Sequence, residues 1–271
     1  MYEEYWGLSE MPFENTPDPR FLYYSTQHEE ALTRLMYVIK KRKGAGMLTG
    51  VFGCGKTVLA RALLQELKKN IYRVAFIINP LLAYVELLRS IAHHLGAKDL
   101  PIKKTEVLTD FLLQVLSDIL FNNMKDGKET VIIIDEAHVI EDKAVFEELR
   151  LLLNFQLDDR FLLTLLLLGQ PELKEEVDGN KQLAQRIALA YHLEPLSEED
   201  TLNYITHRLR VANRTEPIFD SSAVEAIYEN SGGIPRRINQ ICDMSLFTGF
   251  GKKATRIDRE IIQEAVDSIG V

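Results

Sequence analysis

The sequence predicts an α/β fold: a three-layer αβα core around a parallel five-stranded sheet, followed by a small all-helical domain. Three observations carry this reading. Helical stretches alternate with short, unalternating apolar runs, the pattern of a parallel sheet covered on both faces. One of those runs, 45–49, leads into a glycine-rich loop, Gly50-Val51-Phe52-Gly53-Cys54-Gly55-Lys56-Thr57, that opens a helix. After Pro195 the strand-like runs stop and the remaining chain reads as helix.

The elements follow in order. Residues 1–27 combine Tyr5, Trp6, Phe13, Phe21, Tyr23 and Tyr24 with Pro12, Pro17 and Pro19, which predicts an irregular segment packed on the body. A helix over 28–43 ends in Lys40-Lys41-Arg42-Lys43-Gly44, cations and a glycine suited to a helix C-terminus. Apolar spacing predicts a helix over 58–67, a buried strand over 72–78 ending at Asn79-Pro80, and a helix over 81–95 closed by Gly96. A polar stretch, 97–104, leads to an amphipathic helix over 105–124 and a turn at Asp126-Gly127. The β-branched run 130–134 predicts a strand, 141–157 a helix, 161–168 a buried central strand, 171–178 and 180–188 helices, and 191–193 a short strand. Four helices follow, over 197–213, 220–230, 234–248 and 258–269, the first opened by Ser197-x-x-Asp200. The predicted boundary divides a core of 1–195, including the irregular 1–27, from a helical domain of 196–271.

Composition narrows the classes. The chain has 271 residues, 46% hydrophobic and 27% charged, ordinary for a globular protein of one large or two smaller domains. A net charge of −8 argues against non-specific coating of nucleic acid. Local basic clusters at 40–43, 103–104 and 252–256 leave a DNA contact open. Two distant cysteines, Cys54 and Cys242, indicate neither a disulfide framework nor a metal site, and suit a reducing compartment. The longest apolar stretch, 161–169, is half the length of a membrane span, and the N-terminus has no secretory-signal pattern, so a cytoplasmic location is expected.

The glycine-rich loop fits G-x-x-x-x-G-K-[ST], the phosphate-cradling P-loop. Its glycines let the backbone turn tightly and aim successive N–H groups inward. The following helix points its positive end at the same phosphates. Residues 50–58, from Gly50 to Val58, are the expected nucleotide-binding segment. Lys56 would reach the β- and γ-phosphates, and the Thr57 hydroxyl would bind Mg²⁺. Cys54 is a small filler, with a redox-sensitive thiol as the other reading.

Val131-Ile132-Ile133-Ile134-Asp135-Glu136 has the form of a Walker B strand. Asp135 would hold Mg²⁺, and Glu136 would orient and deprotonate the attacking water. Ligands of open parallel sheets bind at the carboxyl ends of the strands, where this reading puts both motifs. Asp135-Glu136-Ala137-His138 also matches the signature of one helicase class, whose second motor domain and further motifs are missing here.

The combination resembles an AAA+ ATPase, a P-loop NTPase with a helical lid. The text Trp6-Gly7-Leu8, Met11-Pro12-Phe13 and Thr16-Pro17-Asp18-Pro19-Arg20-Phe21-Leu22-Tyr23 resembles the general secretion pathway A (ExeA-like) ATPases. So do the stretches 148–154, 168–173 and 232–239, the last reading Gly-Gly-Ile-Pro-Arg-Arg-Ile-Asn. The resemblance covers nearly the whole chain. It implies ATP and Mg²⁺ as cofactors, ATP hydrolysis, and a homo-oligomeric ring or filament formed on ATP binding. The partner would belong to a secretion or envelope assembly, or, as in the related TnsC- and TniB-like regulators, to DNA transposition. Full-length secretion members often add a membrane span and a peptidoglycan-binding module, which this sequence does not show.

Position by position, the resemblance places Gln170 at sensor 1, where Asn is common. It places Arg236 at sensor 2 of the lid, with Arg237 as the alternative. Arg186 would be an arginine finger acting in trans, against the alternative of a surface arginine. Asn79 would be a switch that restrains Glu136, against the alternative of a strand-ending residue before Pro80. Residues 21–24 are candidates for the adenine pocket. Tyr191-His192 is expected to be structural.

Overall fold

The structure, a computed structural model, describes residues 1–98, 100 and 109–270. Within the polar stretch, Asp99 and 101–104 lie outside the described residues, as do Lys103-Lys104 and the expected helix start at 105–108. The described chain divides into two compact units: 30–50 with 63–193, and 1–29 with 51–62 and 194–271.

The first unit holds the sheet. Its strands are β1 (Ala45–Gly50), β2 (Tyr72–Ile77), β3 (Glu129–Ile134), β6 (Leu163–Gly169) and β7 (Ile187–Leu193). They are all parallel and ordered β2-β3-β6-β1-β7. Of the three interior strands, β1 and β6 are buried along their whole length and β3 along all but its first residue. The edge strand β7 alternates between half-buried and exposed. That alternation explains why sequence periodicity finds only its last three residues: Ile187-Ala188-Leu189-Ala190 continues an apolar helical pattern that the structure ends at Ala184, the end of α8 (Lys181–Ala184).

Helices α4 (Tyr84–His94), α5 (Thr109–Lys125), α6 (Lys143–Leu152) and α7 (Glu172–Gly179) contribute Leu87, Leu88, Ile91, Leu112, Leu116, Phe146, Leu149 and Leu173 to a single core with the sheet. Full burial of each such side chain contributes about 1.5–3 kcal/mol. The helix expected over 141–157 is shorter. It starts at Asp142, whose carboxylate accepts from Ala144 N at 2.9 Å, and stops at Leu152. A two-stranded hairpin follows, β4 (Gln156–Leu157) and β5 (Arg160–Phe161), turned by Asp158-Asp159.

The second unit contains the C-terminal helices α9 (Glu198–Val211), α10 (Ser221–Ser231), α11 (Pro235–Lys252) and α12 (Arg259–Ile269). Ser197, Asp220 and Asp258 cap three of them through their side chains. The N-terminal segment is built into this unit. Its first residues form a short helix, α1 (Tyr2–Trp6), within the stretch the sequence reads as irregular. Trp6, Leu8 and Phe13 are buried among Ile218, Phe219, Ile238 and Leu246, and Trp6 Nε1 donates to Leu246 O at 2.9 Å. Gly249 makes room for this packing, because a Cβ there would stand 2.4 Å from Ile257 Cδ1 and 3.0 Å from Trp6 Cζ2.

Arg208, on α9 and buried, ties the segment down. Its guanidinium donates to Pro12 O, to Glu14 O at 2.9 Å, to Tyr204 Oη at 2.7 Å and to Asn239 Oδ1 at 3.1 Å. It also lies 4.8 Å from the Phe21 ring centre. Pro19–Phe21 form a 3₁₀ turn capped by Asp18. Of the residues that carry the resemblance, Pro12, Phe13, Phe21 and Asn239 surround Arg208, while Trp6 packs against Leu246 and Gly249. Phe21 and Tyr23, adenine-pocket candidates, are occupied here by Arg208 and by a Tyr23 Oη bond to Asp200 at 3.0 Å. Among the described residues, no helix is long and apolar enough to cross a membrane.

Candidate functional site

β1 ends at Gly50, and the chain turns through 51–55 into α3 (Lys56–Glu66). Gly53 and Gly55 have φ of +87° and +101°, conformations that L-residues with a Cβ rarely adopt. Cys54 N donates to Val51 O at 3.3 Å, closing the turn. Lys56 is buried, and its Nζ donates to Val51 O at 3.1 Å across the loop. Thr57 and Val58 follow in the first turn of α3, both half-buried.

Two further groups hold this loop. His28 is buried, with Nδ1 2.7 Å from Ser25 Oγ and Nε2 3.3 Å from Cys54 O. Burial pulls its imidazole below the ordinary 6.5, the bond to Cys54 O opposing only in part. The first turn of α11 also meets the loop. Arg236 N donates to Gly53 O at 3.2 Å, and the Arg236 guanidinium lies 4.4 Å from the centre of the exposed Phe52 ring. A Cβ on Gly53 would stand 2.8 Å from Arg236 Cβ. Arg237, the alternative sensor, is exposed. Gly233 brings this turn in: its φ is +72°, its carbonyl accepts from Leu196 N at 2.8 Å, and a Cβ there would lie 2.0 Å from Leu196 O.

In the sheet unit, β3 and β6 run side by side, with Ile134 opposite Leu167, so their carboxyl ends are neighbours. Asp135 is fully buried; its N–H donates to Ile77 O at 2.8 Å, and its Oδ1 accepts from Glu136 N at 3.0 Å. Glu136 has a left-handed backbone, φ +53°, and leads into a 3₁₀ turn, Ala137–Val139. Its Oε2 lies 3.4 Å from His138 Nδ1. Gln170, one residue past β6, has Nε2 2.8 Å from His138 Nε2. The sheet therefore brings Glu136, His138 and Gln170 together.

It does not bring Asn79 to Glu136: Asn79 is exposed, and its Oδ1 accepts from Leu81 N at 3.2 Å in a local turn before α4. Arg186 precedes β7 at the amino end of the strands. Its guanidinium is committed within its own chain, to Leu153 O and Asn154 Oδ1 at 3.1 Å each, and lies 5.8 Å from the Phe161 ring centre. His192 Nδ1 has a partner that the sequence did not reveal, Thr49 Oγ1 at 2.9 Å. Sequence reasoning also missed His28 and His138 as site neighbours. His138 stood in plain view in Asp-Glu-Ala-His, whereas nothing in Ser25-x-x-His28 announces contact with residue 54.

The donors present suit a nucleotide with Mg²⁺. The positive-φ glycine loop, the opening of a helix and a buried lysine make an anion cradle. Thr57 in one unit and Asp135 in the other each carry an oxygen that suits a hard cation. Among the described residues, no cluster of three or more His, Cys, Asp or Glu could hold a metal unaided. Mg²⁺ binds instead through one or two side chains together with phosphate and water.

Sheet order, P-loop and strand-end acids define a P-loop nucleoside-triphosphatase fold with a helical C-terminal region. An AAA domain family model matches residues 39–177, more than half of the chain, and the chain belongs to the AAA domain family. General secretion pathway protein A of Aeromonas hydrophila is 41% identical over 260 residues, covering 95% of this chain and 46% of that protein. An uncharacterized HTH-type transcriptional regulator of Methanocaldococcus jannaschii is 29% identical over 159 residues, covering 56% of this chain and 38% of its own. The chain thus spans less than half the length of the curated relatives it matches. Among solved structures, Cdc6p from Pyrobaculum aerophilum superposes with a TM-score of 0.74 at 15% identity, covering 95% of this chain and 70% of that one. The Aeropyrum pernix ORC2 protein gives 0.69 at 15% identity, with 96% and 71% covered. The Thermotoga maritima RuvB branch migration motor gives 0.57 at 20% identity, with 90% and 69% covered. At these identities they show the fold alone.

Proposed function

We propose that this chain binds ATP with Mg²⁺, hydrolyses it, and couples turnover to self-assembly and to remodelling of a partner in a bacterial secretion or envelope assembly. The observation that carries the nucleotide reading is the loop geometry, two positive-φ glycines around a buried Lys56 at the head of α3. Backbone N–H groups of 51–57 hold phosphate oxygens, and Lys56 exchanges Val51 O for the β- and γ-phosphates. Thr57 and Asp135 would be the residues that hold Mg²⁺, which would supply positive charge against the phosphates. Glu136 orients the attacking water and takes its proton, while Gln170 aligns the γ-phosphate or that water. Arg236 leaves Phe52 for the γ-phosphate and so couples the lid helices to nucleotide state. Arg186, released from Leu153 O and Asn154, acts on the nucleotide of a neighbouring subunit, and Asn79 restrains Glu136 in one state of the cycle.

The secretion role draws on the similarity to General secretion pathway protein A over 95% of this chain. The transposition alternative draws on the basic runs. Arg42 is paired with Glu129 at 2.8 Å, and Lys252 with Glu264, while Lys40, Lys41, Lys43, Lys253 and Arg256 are exposed and carry this reading. It stands second because the net charge is −8 and the similarity over 95% of this chain is to a secretion protein.

The test is ATP binding by calorimetry and phosphate release, read with particle mass with and without a non-hydrolysable analogue. Lys56→Ala is expected to lose binding. Glu136→Gln is expected to keep binding, lose turnover and accumulate the assembled form. A wild-type chain that binds no ATP, or a Glu136→Gln variant with unchanged turnover, refutes the reading. Assembly that requires duplex DNA, with salt-dependent affinity, moves the conclusion to the alternative.

A further inference from the structure

We infer that His138 is a positioning residue that joins Glu136 to Gln170, so that the water-activating carboxylate and the γ-phosphate-facing amide move as one unit. The inference rests on the hydrolytic reading above. Its evidence is the chemistry of three adjacent side chains in the sheet unit. An amide nitrogen only donates, so Gln170 Nε2, 2.8 Å from His138 Nε2, makes that ring nitrogen the acceptor. The proton of the neutral ring then sits on Nδ1. That atom is buried, makes no hydrogen bond here, and lies 3.4 Å from Glu136 Oε2. Turning the Gln170 amide over would aim an Nδ1 lone pair at the carboxylate or demand a cationic ring; the arrangement as found needs neither.

A small rotation of Glu136 closes Nδ1–H···Oε2 and leaves Oε1 for water. His138 therefore has one bond made, to Gln170, and one waiting, to Glu136.

Two sequence features acquire a reason. Gly169 precedes Gln170, and a Cβ there would stand 3.1 Å from His138 N and 2.9 Å from Leu173 Cδ2, so only glycine lets the 137–139 turn lie against the end of β6. The methylene that glutamine has beyond asparagine, about 1.5 Å of reach, carries the Gln170 amide to the imidazole.

The experiment measures steady-state ATP turnover and ATP-analogue affinity of the full chain for His138→Ala, His138→Gln, Gln170→Asn and the His138→Ala/Gln170→Asn double variant, with Glu136→Gln alongside. His138→Ala is expected to lower kcat roughly ten- to hundredfold, with KM and analogue affinity within about twofold. His138→Gln, whose amide can both accept from Gln170 and donate to Glu136, recovers most of the loss. Gln170→Asn keeps an amide and still falls as His138→Ala does, and the double variant is no worse than either single one, because the three act as a unit. Wild-type kcat in His138→Ala, a loss confined to KM, or additive losses in the double variant overturns the inference. Should His138→Ala fail to fold, the contrast between His138→Gln and Gln170→Asn decides alone. Glu136→Gln separates the two levels: unchanged turnover there defeats the hydrolytic reading, whereas lost turnover there with a silent His138→Ala defeats only the positioning role.

Discussion

Arg208→Met tests whether one buried guanidinium anchors the N-terminal segment. Methionine keeps much of the stem packing against Phe13 and Phe21 and removes all four hydrogen bonds, to Pro12 O, Glu14 O, Tyr204 Oη and Asn239 Oδ1. Two of these losses are soft. Asn239 Oδ1 keeps the bond from Tyr204 Oη at 2.8 Å, and exposed Glu14 can turn its carbonyl to water. Pro12 is buried, so its carbonyl is stranded at a cost of about 1–3 kcal/mol. The other bonds from a charged donor add roughly 1 kcal/mol each, partly offset because a guanidinium no longer has to be desolvated. The expected loss is about 3 kcal/mol, a large fraction of a typical folding free energy of about 5–15 kcal/mol. It should lower Tm by roughly 10 °C, at about 2–4 °C per kcal/mol for a chain of this size. Thermal unfolding gives the magnitude, and limited proteolysis shows whether cleavage moves into residues 7–20. Arg208→Lys, with one compact cation in place of a fork, should recover little. A Tm within 2 °C of wild type with residues 7–20 still protected would refute the reasoning.

Three further outcomes are expected. Gly233→Ala, which adds a Cβ 2.0 Å from Leu196 O at φ +72°, should cost more than about 3 kcal/mol in denaturant unfolding, whereas Gly232→Ala, at φ +59° with open space around it, should cost only about 1 kcal/mol. Equal costs would show that the Leu196 contact does not hold the α11 turn. Glu136→Gly should abolish turnover yet raise unfolding free energy by up to about 1 kcal/mol, since it relieves a left-handed glutamate; a stability loss beyond about 1 kcal/mol contradicts this. His28 is held below 6.5 by burial, so the unfolded chain takes up the proton first and stability falls as pH drops through about 6.5 toward the lower folded value. A His28→Gln variant should show a shallower pH dependence of Tm there, and an unchanged slope would assign the effect elsewhere, His207 being the other imidazole that burial lowers.

Legibility followed the physics of each element. The sheet's central strands are buried on both faces and read as unbroken apolar runs, so 130–134 falls within one residue of β3, and 161–168 covers most of β6 but begins in the hairpin strand β5. β7 is an edge, half of it exposed, and its period-two pattern was hidden by alanines that suit a helix equally well. Capping chemistry is local, and Ser197 behaves as its spacing implied, accepting from Asp200 N at 3.1 Å. The loop residues were legible because the motif encodes backbone shape through glycine. Contacts between distant segments were not: no periodicity links residue 28 to 54, 208 to 12, or 138 to 170. Gln170 and His138 could be seen separately, but their adjacency follows from strand order, which puts β6 beside β3 although a helix and a hairpin separate them in sequence.

Backbone strain points to the same place as the motifs, by an independent route. Among the described residues, Arg42, Glu136, Asn213 and Lys253 are the non-glycine residues with positive φ. Three of them end helices in one shared way: Arg42 follows α2 (Thr26–Lys40), Asn213 follows α9 and Lys253 follows α11. The N–H after each bonds a carbonyl five residues back: Lys43 to Val38 at 3.0 Å, Arg214 to Leu209 and Ala254 to Gly249 at 2.9 Å each. Left-handed residues there satisfy helix carbonyls that would otherwise lack donors, a local gain that offsets about 1 kcal/mol of strain. Glu136 ends no helix. It follows a strand, and glycine or asparagine would make the same turn at lower cost. On the proposed hydrolytic role, the strain persists because the turn must carry a carboxylate at that point, beside a buried aspartate and within reach of His138. An outlier that ends no helix, at the carboxyl edge of a parallel sheet, is what the proposed role of Glu136 requires.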